Sequence, residues 1–209
     1  MTTQAGTAGT GAAGRVPAVT GEQPVPRSVG ELVELLREDR RTNSTGPLTP
    51  GFHAVALHRV GVWLDAGGGA AVLRGPALRA HKLAWLLVRN VYGIQIPRTV
   101  RLGRRVRVAH QHGIVVHPFA AIGDDCVLRQ GVSLGAGSGD RATFAQQAPQ
   151  VGRGVSLGAG CVVVGAVRIG DGATIGPNAV VMTHVPAGAT VLAQPPRVVR
   201  ARTTPEETA

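Results

Sequence analysis

The sequence predicts a mainly β fold, a parallel β-helix of hexapeptide repeats preceded by a small α-helical region. Three observations predict it. From Val151 an aliphatic residue stands on every sixth position, at Leu157, Val163, Ile169, Ile175 and Val181. The residue after several of these is glycine (Gly152, Gly158, Gly170, Gly176), and small residues recur four positions on (Val155, Cys161, Val167, Ala173, Ala179). Upstream of residue 94 the apolar residues follow helical spacing instead. A period of six fits neither a helix nor an isolated strand. It fits a prism in which each hexapeptide supplies one short flat side and a corner, with aliphatics stacked inside and glycines turning the corners.

Taken in order, residues 1–27 are Ala, Gly, Thr, Gln and Pro with few large apolar groups, too few to offset the entropy of ordering, and are expected to be a disordered tail. Ser28-Val29-Gly30-Glu31 forms a capping box ahead of Leu32, Leu35 and Leu36 on one stripe, which predicts a helix from 28 to about 41. Pro50 and Gly51 open a second helix with Phe52, Val55, Ala56, Val60 and Trp63 inward, ended by Gly67-Gly68-Gly69. A third carries Leu83, Leu86, Leu87 and Val91 at helical spacing and stops near Gly93, so the helical region covers 28–93 and the β-helix 94–199. Within the latter, Ile96, Leu102, Val108 and Ile114 keep the spacing, two residues are added, and Ile122, Leu128 and Leu134 resume it. Seventeen positions separate Leu134 from Val151, which no multiple of six accommodates, so a loop leaves the prism around 137–150. Loops thrown out of a rigid repeat scaffold are where binding groups collect. Val185-Pro186-Ala187-Gly188 turns into a short closing strand, and 200–209 is a second disordered tail.

The 209 residues suit one compact unit with an appendage. Its 30 glycines and 3% aromatics fit slender core layers and small corners. The formal charge is +10, nearly all from arginine, with Lys82 the only lysine. The arginines are scattered over repeat corners and termini without aromatic interleaving, so no nucleic-acid partner is expected; a positive field favours a polyanionic small molecule. Cys126 and Cys161 each fall four residues after a ladder aliphatic, the slot for a small inward side chain, and read as core filler in a reduced, cytoplasmic setting. No stretch reaches the roughly 18 uninterrupted apolar residues of a membrane span, and no apolar signal core opens the chain, so no membrane partner is expected.

Several strings, in order, resemble the serine acetyltransferases of the hexapeptide acyltransferase superfamily. They are Gly51-Phe52-His53-Ala54 with His58-Arg59, the stretch 91–97, Gly113-Ile114-Val115-Val116, Ile122-Gly123-Asp124-Asp125 and Gly131-Val132-Ser133-Leu134-Gly135. The resemblance covers about residues 36–199. It implies a left-handed parallel β-helix, a homotrimer with a hexamer as the alternative, and active sites in clefts between subunits. It also implies acetyl-CoA as co-substrate, lying along the coil edge against Gly135, Ala136, Ala159, Gly160, Thr174 and Pro177, with no metal. His110 matches the family's catalytic histidine, which takes the proton of an acceptor hydroxyl as its oxygen attacks the thioester; an imidazole, with an ordinary pKa of about 6.5, suits that task. No cysteine is placed to take the acyl group, so direct transfer in a ternary complex is expected.

The chain departs from the family pattern at the acceptor. Gln95 stands where the family pairs the histidine with an acid, Ala109 replaces the acid before it, and the Asp-Pro pair expected between Arg41 and Pro50 is missing. Those carboxylates would bind serine's ammonium. Gly139-Asp140-Arg141 keeps the family's arginine, which clamps an acceptor carboxylate, but Ala142 follows in place of histidine. His112 occupies a slot that usually holds Thr or Gly, where an imidazole is bulky for an inward corner. It either turns to the cleft as orienter or second acid-base group, or is hydrogen-bonded inside a coil. His53, His58, His81, His117 and His184 are assigned to structure or surface. Three readings follow: acetyl transfer to L-serine or a related small acceptor, transfer to a different alcohol or amine in a specialised pathway, or a catalytically silent β-helix that binds a partner.

Overall fold

Residue Ser28 begins the ordered helical region as a cap. In the computed structural model, which describes residues 23–43, 49–137, 147–195 and 197, its Oγ accepts the Glu31 N–H at 3.1 Å. The Glu31 carboxylate reaches back past Ser28 to the Arg27 N–H at 2.8 Å, one residue earlier than a standard capping box. Helix α1 (Val29–Asn43) buries Leu32 and Leu35. Helix α2 (Pro50–Asp65) starts with proline in its first turn, where the missing N–H costs no helical bond. Helix α3 (Ala71–Tyr92) stops at Gly93, which takes the left-handed conformation at φ 62°. The two expected tails and residues 44–48 lie outside the described residues, apart from 23–27. Among the described residues no helix is long and apolar enough to cross a membrane.

Among the described residues fourteen short strands follow and stack into three parallel sheets, one per side of a prism. The first face holds β1 (Ile94–Gln95), β4 (Ile114–Val116), β7 (Ser133–Gly135), β10 (Val162–Val164) and β13 (Val180–Val181). The second holds β2 (Arg101–Leu102), β5 (Ala121–Ile122), β8 (Gln150–Val151) and β11 (Arg168–Ile169). The third holds β3 (Arg107–Val108), β6 (Val127–Leu128), β9 (Ser156–Leu157), β12 (Thr174–Ile175) and β14 (Thr190–Val191). The chain visits the faces in that order on every turn. The predicted ladder residues are its core: Leu102, Leu128, Leu157, Ile169 and Ile175 are fully buried.

One step of the ladder differs from the sequence expectation. Ile114 pairs with Ile94, and Val116 with Leu134, so the in-register core line runs through Val108, Val116 and Ile122. The two added residues therefore lie before Ile114, in the corner between β3 and β4, not after it. The loop expected around 137–150, between β7 and β8 in sequence, lies mostly outside the described residues.

Both cysteines are core filler, free and buried. The Cys126 thiol donates to Gly152 O at 3.0 Å, and burial pushes its pKa up to about 12 and that of Cys161 to about 11. Neither is a nucleophile at neutral pH.

Helix α2 plugs the first turn of the prism, with Ala54 and Val55 joining its core. Only Val55 of the five expected inward residues is buried; Phe52, Ala56, Val60 and Trp63 are half-exposed. Two contacts rotate the helix. Gly51 sits so close to β3 that a side-chain carbon there would run into Val108 O. Arg59, fully buried, donates from Nε to the equally buried Asp39 at 2.9 Å and from Nη1 to Leu102 O at 2.7 Å. Burial raises the Asp39 pKa against the opposing pull of Arg59. Asn43 completes the seam, donating to Val106 O at 3.0 Å and accepting the Val108 N–H at 2.9 Å. On α3 the predicted stripe faces outward: Leu83, Leu87 and Val91 are 62%, 57% and 61% exposed, and His81 is the helix's buried residue.

His58 gives the fold a pH dependence. Its Nε2 lies 3.0 Å from Val100 O, so it must carry the proton, and its buried Nδ1 has no partner among the described residues. Burial, helped by the Arg59 charge, depresses its pKa to about 3. Unfolded, the ring titrates near 6.5, so between about 6.5 and about 3 the unfolded chain binds the extra proton and stability falls as pH falls. The slope from this group approaches about 1.4 kcal/mol per pH unit. Denaturant unfolding at pH 7 and pH 5 should show it, and His58→Gln should flatten it.

Candidate active site

The corner between β3 and β4 is the irregular one. In the turn above it the chain passes from Leu128 to Gly131 through Arg129 and Gln130. Here it passes from Val108 to Gly113 through Ala109, His110, Gln111 and His112. Ala109 N–H still bonds Leu128 O at 2.9 Å, and His112 bonds on both sides, its N–H to Tyr92 O and its carbonyl to Gly131 N–H, each at 2.9 Å. His112 thus takes the ladder place held in later turns by Gln130, Ala159 and Pro177, whereas His110 and Gln111 are the two extra residues and bulge outward. His110, Gln111 and His112 are all exposed. His112 is not packed inside the coil: its φ of 72° is left-handed, and its ring stands at the rim with Nε2 3.1 Å from Gln111 Nε2.

Gln95, on β1, pairs with Val115 on β4, so it lies on the first face immediately beyond this corner. No hydrogen bond joins its amide to His110 among the described residues. The residues assigned to the co-substrate divide into three places. Ala159, Gly160 and Pro177 continue the corner column that His112 begins; Gly135 and Ala136 lie at the opposite edge of the first face; Thr174 is exposed on the third face. Both ledges suit an amide-bearing ligand. Ala136 and Ala159 are half-buried, and their N–H groups make no backbone bond among the described residues. At Gly135 an added carbon would meet nothing nearer than Val164 Cγ2 at 3.9 Å, so a ligand can reach the backbone. Arg141 lies outside the described residues, between β7 and β8 in sequence.

Charge is distributed unevenly. The described carboxylates sit on α1, at the end of α2 and at the corners between the second and third faces, where Arg104, Arg105 and Arg153 pair Glu38, Asp124, Asp125 and Asp171. Asp125 is held below the usual carboxylate range by its bond from Arg105, and Asp171 by bonds from Arg153. The His110 corner has no carboxylate among the described residues. Sequence reasoning missed one polar pair beside it: His53 Nδ1 lies 3.3 Å from Tyr92 Oη with the rings stacked, and Tyr92 is the residue whose carbonyl holds His112. The signal was faint, an aromatic placed just before the helix-ending Gly93.

The chain is similar to known proteins over most of its length. The family model described as bacterial transferase hexapeptide (six repeats) matches residues 148–182. The chain is 35% identical over 150 residues to a serine acetyltransferase of Synechococcus elongatus, covering 72% of this chain and 57% of that relative. It is 32% identical over 152 residues to the serine acetyltransferase of Helicobacter pylori, covering 73% of this chain and 82% of the relative. The crystal structure of Neisseria gonorrhoeae serine acetyltransferase in complex with serine is similar with a TM-score of 0.65 at 26% identity, over 82% of this chain and 70% of that one. At 32% identity over most of the length of the Helicobacter pylori relative, the chain belongs to the serine acetyltransferase family.

Proposed function

We propose that the protein is a coenzyme A-dependent O-acetyltransferase acting on the hydroxyl of L-serine or a related small acceptor. The observation that carries this reading is the two-residue insertion that lifts His110 out of the hexapeptide ladder at the edge of the first face. A regular corner would have no such residue. Acetyl-CoA supplies an activated acetyl thioester. Gly135, Ala136, Ala159, Gly160 and Pro177 would hold it through exposed backbone groups, with Thr174 further along, and the absence of side-chain bulk keeps those amides within reach. His110 accepts the acceptor's hydroxyl proton as its oxygen attacks the carbonyl carbon, then returns that proton to the departing sulfur, so the products are the O-acetyl ester and the free thiol. An N–H near Ala136 stabilises the negative oxygen between these events.

Within one chain the His110 corner and the Gly135 edge bound opposite sides of the first face. Copies arranged as a homotrimer would set one against the other, with Arg141 reaching an acceptor from the neighbour; a hexamer is the alternative. The two free, buried thiols support a reducing, cytoplasmic setting.

A second reading changes the acceptor to another alcohol or amine. The carboxylate-free corner favours it, since Gln95 accepts a hydrogen bond but does not balance an ammonium. Thiol release from acetyl-CoA, measured over a panel that includes L-serine, tests both. Silence with every acceptor sinks the enzyme reading.

His112→Ala separates the roles of the two rings. As a neighbouring acid-base group, His112 should shift the pH profile of turnover and lower it less than His110 does. An unchanged profile would leave His112 a corner residue only.

A further inference from the structure

Helices α2 and α3 do not close on each other. Between them runs a groove of about 550 Å³, walled by Leu57, Val60, Leu87 and Val91, whose polar side chains are His53 and Tyr92. That size is within the range of pockets that take small molecules. Its Tyr92 end adjoins the corner at His112. Tyr92 is followed by Gly93, and a side-chain carbon on Gly93 would lie 3.2 Å from His112 Nδ1 and 3.0 Å from its Cα. The wall carries no Asp, Glu, Lys or Arg, and neither do Gln95 and residues 109–113 of the corner beside it.

We propose that this groove holds the apolar portion of the acceptor, which is then an alcohol bearing an uncharged hydrocarbon or aryl group, with its hydroxyl carried past the His53–Tyr92 pair to His110. The assignment rests on the transferase reading above. A ligand explains the exposed Leu87 and Val91 better than a two-fold contact of α3 with its own copy does. Helix α3 carries Arg74, Arg79, Lys82 and Arg89 and no acidic residue, so pairing it with itself brings like charges together.

The test uses the full chain and straight-chain primary alcohols from ethanol to hexan-1-ol as probes, with binding measured by ligand-observed NMR and turnover by thiol release from acetyl-CoA. Affinity should rise about two- to fourfold per methylene, the worth of burying one CH₂ partly or fully. In turnover the rise should appear in KM with kcat constant. Leu87→Gln and Val60→Gln, both at partly exposed positions, should flatten the series while coenzyme A affinity stays unchanged. A flat series in the wild type, or a slope that neither variant alters, overturns the proposal. So does a change of sedimentation in Leu87→Gln without alcohol binding, which would make the groove a contact between copies. L-Serine acetylation beside a flat alcohol series sinks the groove and leaves the transferase standing. A rising binding series without thiol release on any acceptor does the reverse.

Discussion

Replacing His110 by alanine should lower turnover at least about 10²-fold, the usual worth of a general base, while coenzyme A binds as it does to the wild type. The two effects separate because His110 stands on the bulge and the backbone ledges stand elsewhere in the ladder. Ala136 and Ala159 belong to later turns whose hydrogen bonds do not pass through residues 110 and 111. Single-turnover thiol release with an equilibrium measurement of coenzyme A binding decides it. Wild-type turnover in the variant would remove His110 from the chemistry, and lost coenzyme A affinity would make it a binding group. Gln95 should matter less: with no bond to the ring, Gln95→Ala is expected to change turnover by a smaller factor than His110→Ala.

The largest expected effect on stability lies at the junction of the helices with the prism. Arg59→Met removes the cation from a pair that is fully buried on both sides. It leaves the Asp39 carboxylate without its counter-charge and two carbonyls, of Leu102 and Gly103, without donors. Breaking such a pair from one side costs about 3–5 kcal/mol, because the remaining charge stays out of water. Adding Asp39→Leu should recover much of that loss, since a matched apolar replacement removes the stranded charge as well. Urea unfolding of the two single variants and the double variant measures the coupling. Additive losses would mean that the pair contributes no interaction of its own.

The prism was legible because its core pattern repeats and its period excludes the common alternatives. Its register at the first corner was not. Ile114 and Val116 are both aliphatic and both point inward, and a shift of two residues along a strand keeps every side chain on the same face. The sixfold count therefore read equally well with the insertion before or after Ile114, and only the pairing with Ile94 places it at His110. The helices show the complementary limit. The spacing of Leu83, Leu87 and Val91 revealed a helix, but an apolar stripe marks a surface that some apolar group covers without saying which. For α2, the side facing the prism was decided by Gly51 and by Arg59, a charged residue that no hydropathy pattern turns inward. At the site, His110 was named from its motif, whereas the His53–Tyr92 pair joins residues far apart in sequence and was invisible until the chain had folded.

The stacking order has a consequence for how the molecule loosens. One end of the spiral is plugged by α2, while at the other β13 and β14 each have a single described neighbour, β10 and β12. Opening at that far end exposes one layer at a time. Deuterium uptake should therefore be graded, fastest at Thr190 and Val191 and slowest around Leu128 and Leu157, so that the far end frays while the layers beneath it stay shut.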